Sequence, residues 1–167
     1  MRLLFVCLGN ICRSPTAEGV MRALVADAGL QESIELDSAG TGSWHVGSPP
    51  DERAAAVARG RGTPLAGSAR QVRTEDFDDF DLLLAMDSSN MRELRQQAPG
   101  VEERAKVRLL REFDPASGAH GPTSAEIADL DVPDPYNGAP GGFEEVFDLV
   151  HAACEGLLER IRAGEAP

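Results

Sequence analysis

The chain has 167 residues, enough for one domain over residues 1–167 with a single core, and no second composition regime asks for another. Its 28 acidic residues against 16 basic ones leave a formal charge of -12, which argues against nucleic acid and anionic membranes as partners, because both demand basic surface to displace counterions. An odd count of 3 cysteines argues against a secreted disulfide framework, and no window reaches the length of a membrane span.

The apolar run from Leu3 to Leu8 is too short for a signal-peptide core, so a reducing cytoplasm is the default compartment, with export by a route lacking a cleaved signal left open. Residues 2–6 read as a strand. Ala17, Val20, Met21, Leu24, Val25 and Ala28 then place an apolar stripe on a helix opening at Ser14 or Pro15 and stopped by Gly29. Ile34 to Leu36 make a second strand, followed by Asp37-Ser38-Ala39-Gly40-Thr41-Gly42 as a turn-rich loop. Pro49, Pro50 and Asp51 signal a helix carried by Ala54, Val57 and Ala58 and ended by Gly60 or Gly62. Asp81 to Met86 is the clearest buried strand, with Asp87 or Ser88 capping the next helix, which bears Met91, Leu94 and Arg95. Val107 to Leu110 give a fourth strand, and residues 112–128, rich in Pro, Gly, Ala and Ser, read as a mobile surface excursion. A last helix begins near Gly142, where Phe143, Val146, Phe147, Val150, Cys154, Leu157, Leu158 and Ile161 repeat at three and four, so Cys154 lines the core.

Strand and helix alternate four times, which predicts an α/β domain: a four-stranded parallel sheet with helices on both faces and right-handed crossovers. Ligands of such sheets sit at the carboxyl ends of the strands. There, directly after the first strand, stands Cys7-Leu8-Gly9-Asn10-Ile11-Cys12-Arg13-Ser14-Pro15. A helix opening behind such a loop aims unpaired N–H groups and its positive dipole end at the loop, which suits phosphate and thiolate alike. Gly9 and Asn10 tolerate the left-handed backbone that turns successive N–H groups toward an anion, and the Arg13 guanidinium can grip two phosphate oxygens at once. Cys7 is the nucleophile candidate, with the Ser14 hydroxyl near enough in sequence to hydrogen-bond it. Far downstream, Asp134 lies in the loop Asp131-Val132-Pro133-Asp134-Pro135-Tyr136-Asn137-Gly138, by itself an ordinary turn, but beside a phosphate loop the acid that a leaving ester oxygen needs.

These motifs resemble the low-molecular-weight protein tyrosine phosphatases, in their bacterial form, over nearly the whole chain: the Cys7 to Pro15 loop, Asp37 to Thr41, Trp44 to Gly47, Ala69-Arg70-Gln71, Ala85 to Asn90, and Asp134-Pro135-Tyr136. The resemblance implies Cys7 as nucleophile, Arg13 as phosphate ligand, Asp134 as general acid, and Leu8, Gly9, Asn10, Ile11, Cys12, Ser14 and Ser38 as phosphate-binding or loop-ordering residues. It also implies phosphotyrosine-containing proteins as substrates, no cofactor and no metal, a monomer or weak self-association, and Trp44 and Tyr136 as cleft walls. Cys7 and Cys12 in one loop imply redox sensitivity, with Cys12 rescuing an oxidised Cys7. Two departures stand out: Tyr136 is followed by Asn137 where the family often has a second tyrosine, and Gly67-Ser68 stands where many members carry a histidine that braces the loop asparagine.

Three rival readings share this fold or loop. An arsenate reductase needs further cysteines near residues 80–95, and none is present. Phosphoarginine phosphatases tend to carry threonine at the position of Ile11. A non-catalytic phosphate-binding module would have no use for Cys7, Arg13 and Asp134 together. His45, His120 and His151 lack metal-like spacing and read as surface or structural, and Arg53, Arg59, Arg61, Arg70 and Arg73 read as solvated faces.

Overall fold

The computed structural model describes residues 1–117 and 130–165. Its frame is a four-stranded parallel sheet ordered β2-β1-β3-β4, from β1 (Arg2–Cys7), β2 (Glu35–Gly40), β3 (Leu82–Ala85) and β4 (Val107–Leu109). Six α-helices accompany it among the described residues: α1 (Arg13–Asp27), α2 (Glu52–Gly60), α3 (Asp76–Asp79), α4 (Ser88–Gln97), α5 (Val101–Ala105) and α6 (Gly142–Ala163). Both faces of the sheet are covered, as the alternation predicts. Leu3 and Phe5 of β1 join α1 and α6 side chains such as Val20, Met21, Val150 and Leu157 in one core. Leu4 and Val6, on the opposite face because strand side chains alternate, pack with Phe77, Phe80, Met91 and Leu94 in the other.

Helix ends follow local chemistry. The Asp51 carboxylate accepts the Arg53 N–H at 2.8 Å to cap α2, and Asp87 accepts the Asn90 N–H at 2.7 Å to cap α4. Gly29 follows α1 at φ +69, a left-handed position that costs glycine nothing. Cys154 is fully buried in α6, as its spacing predicts.

Two expectations need correction. The segment Asp37–Gly40, expected as the start of a loop, continues β2, because parallel pairing with β1 runs from Arg2 opposite Glu35 to Cys7 opposite Gly40. Its polar and small residues carry no strand signal of their own; the neighbouring strand holds them. Within the expected excursion at 112–128, Leu110–Phe113 and Pro115–Ser117 are short 3-10 turns, and residues 118–128 lie outside the described residues. The short helices α3 and α5 have too few turns to show periodicity and were not expected.

Candidate active site

The carboxyl ends of β1, β2 and β3 meet at one point, and the loop after Cys7 is threaded there. Gly40 makes the threading possible: a Cβ on it would lie 2.8 Å from the Leu8 carbonyl oxygen and 3.2 Å from the Asn10 nitrogen. The Thr41 and Gly42 N–H groups donate to the carbonyls of Cys7 and Leu8, each at 2.9 Å, which sews the loop to the end of β2.

Cys7 is 2% exposed, and its sulfur lies 3.0 Å from Ser14 Oγ while accepting the Asn10 N–H at 3.2 Å. Asn10 supplies that N–H from a left-handed conformation, φ +55, alone among the described non-glycine residues. Its side chain is held from three sides: Nδ2 donates to Ser14 Oγ (2.9 Å) and Ser38 Oγ (3.0 Å), and Oδ1 accepts the Arg70 N–H (2.9 Å). Ser38 in turn donates to Glu18 Oε2 at 2.7 Å, and Glu18 is ion-paired with Arg22. With Gly67-Ser68 preceding Ala69, no histidine takes part in this brace, which consists of the Ser14 and Ser38 hydroxyls, the Glu18 carboxylate behind Ser38, and the Arg70 N–H. The Arg70 backbone is itself anchored, since its guanidinium pairs with Asp37 at 2.8 Å and with buried Asp76 at 2.9 Å. Arg70 was expected on a solvated face and instead belongs to the scaffold of this loop.

Arg13 opens α1, whose first turn carries no acidic side chain to compensate the positive dipole end. Although only 3% exposed, its guanidinium is well partnered: Nη1 donates to Asp87 Oδ2 (2.6 Å) and the Val132 carbonyl (3.1 Å), and Nη2 to Asp134 Oδ2 (3.3 Å). Burial opposes the Arg13 charge, but Cys7, Asp87 and Asp134 overcome it, so the pKa rises above the ordinary arginine value. Asp87 and Asp131 were missed by sequence reasoning. Asp131 accepts the Ser88 N–H (2.7 Å) and hydroxyl (3.1 Å), and the Val132 N–H donates to the Met86 carbonyl (2.7 Å), which docks the Asp134 loop onto the end of β3. An Asp-Ser pair after a buried strand marks a helix cap, but nothing local reveals that the same carboxylate will grip an arginine 74 residues away.

Together these elements enclose a cavity of about 270 Å³. Cys7, Arg13, Cys12, Asp134, Trp44 and Tyr136 all line it, as do Leu8, Gly9 and Ile11. Asn10, Ser14 and Ser38 sit behind it and order the loop. Trp44, 68% exposed, and Tyr136, 43% exposed, form its open rim. His45, expected as surface or structural, also lines the cavity, its ring 6.2 Å from that of Tyr136. His151 lies away from it, beside Glu155 at 3.3 Å, while His120 lies outside the described residues. Burial first, and then the Asp51 carboxylate, push the Cys12 thiol up to about 12, so Cys12 is a neutral thiol at physiological pH. Among the described residues no group of three or more His, Cys, Asp or Glu side chains could hold a metal. No described helix is long and apolar enough to cross a membrane.

A thiol and a guanidinium in one tight loop at the carboxyl edge of a parallel sheet, with a carboxyl opposite, mark an α/β domain that carries a cysteine, an arginine and an aspartate in one cavity. The chain belongs to the low molecular weight phosphotyrosine protein phosphatase family, whose description matches residues 2–166. It is 50% identical to the low molecular weight protein-tyrosine-phosphatase of Streptomyces coelicolor, over 96% of this chain and 93% of the relative. Its fold is similar to the crystal structure of a protein tyrosine phosphatase from Entamoeba histolytica, with TM-score 0.87 and 38% identity over 99% of each chain. It is similar as well to a Drosophila arginine phosphatase, with TM-score 0.84 and 33% identity over 97% of this chain and 98% of that one. The protein is therefore a phosphatase, a hydrolase of phosphoproteins.

Proposed function

We propose that the protein hydrolyses phosphotyrosine in two steps through a cysteinyl-phosphate intermediate. The observation that carries this reading is the convergence of Cys7, Arg13 and Asp134 on one cavity, with Ser14 Oγ and the Asn10 N–H already directed at the sulfur. In the first step the Cys7 thiolate forms a bond to phosphorus, the bond to the tyrosyl oxygen breaks, and Asp134 gives that oxygen its proton. In the second, the Asp134 carboxylate takes a proton from water, whose oxygen attacks phosphorus as the P–S bond breaks and inorganic phosphate leaves. Arg13 holds the equatorial oxygens in both steps, stabilising charge with a fixed fork. The phosphate competes with Asp134 for Arg13 Nη2, which frees the carboxyl to turn to the leaving oxygen. No metal or cofactor enters either step.

The aromatic rim of Trp44 and Tyr136 supports an aryl ester as substrate, and a phenol (pKa ~10) leaves far more readily than an alkoxide. The likeness to the Drosophila enzyme favours phosphoarginine as a second reading. Turnover of phosphotyrosine, phosphoserine, phosphoarginine and arsenate, measured side by side, separates these. Phosphotyrosine is expected to dominate, and Cys7→Ser to abolish its turnover. Faster release of phosphate from phosphoarginine overturns the substrate assignment, and residual turnover by Cys7→Ser above a few per cent of wild type removes Cys7 from the mechanism.

A further inference from the structure

Arg53 does not line the cavity, yet it touches both loops that build it. The chain of contacts begins at the Cys7 loop, where the Asp51 N–H donates to the Ile11 carbonyl at 2.7 Å. The Asp51 carboxylate then receives Arg53 through two side-chain bonds, Nε to Oδ1 at 3.0 Å and Nη2 to Oδ2 at 2.9 Å. The remaining arm of the same guanidinium, Nη1, donates to the Tyr136 carbonyl at 3.1 Å. On the other side of that residue the Tyr136 N–H donates to Asp134 Oδ1 at 3.1 Å. The guanidinium also lies 5.3 Å from the centroid of the Tyr136 ring and 4.6 Å from that of Phe143, so it bridges the rim aromatic and the start of α6.

From this we infer that Arg53 is a positioning residue for the general acid: it ties the loop that holds Cys7 to the loop that holds Asp134 and fixes the distance between them. The inference rests on the reading of Asp134 as the acid. Three features of the geometry carry it. The fork is used fully, with one edge on Asp51 and the outer arm on Tyr136, an arrangement that lysine cannot reproduce because it lacks planar, divergent donors. Hydrogen bonding to Arg53 holds the Asp51 carboxyl below the ordinary carboxylate range, so the partner stays ionised wherever the enzyme would work. Tyr136 is the only residue interposed, since its carbonyl takes Arg53 and its N–H orients the Asp134 carboxyl. Proton transfer in the transition state is steep in donor position, and a displacement of about 1 Å can cost as much as ~10²-fold. Thiolate attack does not depend on that contact.

The test compares phenyl phosphate with an aryl phosphate whose leaving phenol is strongly acidic, in wild type, Arg53→Ala, Arg53→Lys, Asp134→Asn and the double variant Arg53→Ala/Asp134→Asn. The quantity read is kcat/KM, which covers steps up to departure of the phenol. Arg53→Ala is expected to lose about tenfold on phenyl phosphate, a part of the ~10²- to 10⁴-fold that a general acid supplies, and less than about twofold on the activated ester. Arg53→Lys is expected to lose nearly as much as Arg53→Ala on phenyl phosphate. In the Asp134→Asn background, Arg53→Ala is expected to cost nothing further, because the group it positions is gone. Inhibition by inorganic phosphate is expected to be unchanged by Arg53→Ala and Arg53→Lys, since Arg53 does not line the cavity that takes the anion.

An equal loss by Arg53→Ala on both esters, or a loss that multiplies with that of Asp134→Asn, overturns the positioning role and leaves Arg53 as a stabiliser of the fold. Full activity of Arg53→Lys overturns the requirement for the fork. If Asp134→Asn itself loses equally on both esters, the assignment of the acid has failed, which is a different result from a failure of Arg53.

Discussion

Replacing Asn10 by alanine tests how much of this site is backbone strain held in place by side-chain hydrogen bonds. The Asn10 amide makes three of them, to Ser14, Ser38 and the Arg70 N–H, from a residue 3% exposed. Removing it leaves the partly buried Arg70 N–H without its acceptor and also removes two buried bonds to Ser14 and Ser38, a loss of about 1–3 kcal/mol. Alanine at φ +55 adds roughly 1–2 kcal/mol, because its Cβ crowds the carbonyl in a left-handed conformation that asparagine tolerates better. The expected destabilisation is therefore about 2–5 kcal/mol, a large share of the ~5–15 kcal/mol that holds most domains folded. Asn10→Gly separates the two parts, since glycine loses the hydrogen bonds but not the backbone freedom. It is expected to melt above Asn10→Ala by about 2–4 °C, the shift that roughly 1 kcal/mol produces in a chain of this size. Thermal unfolding followed by circular dichroism gives the melting temperatures, and kcat/KM on an aryl phosphate gives the effect on Cys7. Both variants are expected to lose activity beyond their loss of folded protein, because the Asn10 N–H no longer sits on the sulfur. An Asn10→Ala protein that melts at or above Asn10→Gly refutes the strain argument, and wild-type kcat/KM in either variant refutes the coupling of this brace to Cys7.

Trp44→Ala is expected to raise KM for aryl phosphates while leaving inhibition by inorganic phosphate unchanged, since phosphate reaches only the Cys7 loop; parallel weakening of phosphate inhibition would assign Trp44 to the fold instead. Peroxide is expected to inactivate wild type reversibly through condensation of a Cys7 sulfenic acid with the Cys12 thiol, releasing water and forming a disulfide, so dithiothreitol restores activity and the oxidised mass falls by two hydrogens. Cys12→Ala under the same treatment is expected to gain oxygen and stay inactive, and equal recovery of the two proteins would sink the rescue role. The raised pKa of Cys12, from 9.0 unfolded to about 12 folded, means the folded state holds its proton more tightly, so its contribution is complete below the unfolded value and lost as pH climbs through the folded one. Denaturant melts are therefore expected to show wild type losing up to about 1.4 kcal/mol per pH unit above pH ~9 from this group, a loss absent from Cys12→Ala; identical slopes for the two proteins would count against it.

What the sequence by itself determined is whatever depends on neighbours along the chain. Alternating apolar runs and helical stripes place the four strands, the parallel sheet and its two covered faces. The types Gly9, Asn10, Arg13 and Ser14 at their spacing predict a tight loop between strand and helix after Cys7, because strand end, turn and helix start are consecutive. Asp134 becomes a candidate only in the light of that loop, being one carboxylate in a turn of ordinary composition. The tertiary structure alone decided what braces these groups. Ser38 reaches Asn10 across 28 residues, the Arg70 N–H across 60, Asp87 reaches Arg13 across 74 and Asp134 across 121, and each contact exists only because parallel strands bring distant loops to one edge. The extension of β2 through Asp37–Gly40 has the same cause, for pairing with β1 overrides residues whose own preference is a turn. Arg53 reads in the sequence as one more charge on a helix surface, and becomes a tie between two loops only where Ile11 and Tyr136 lie on either side of it.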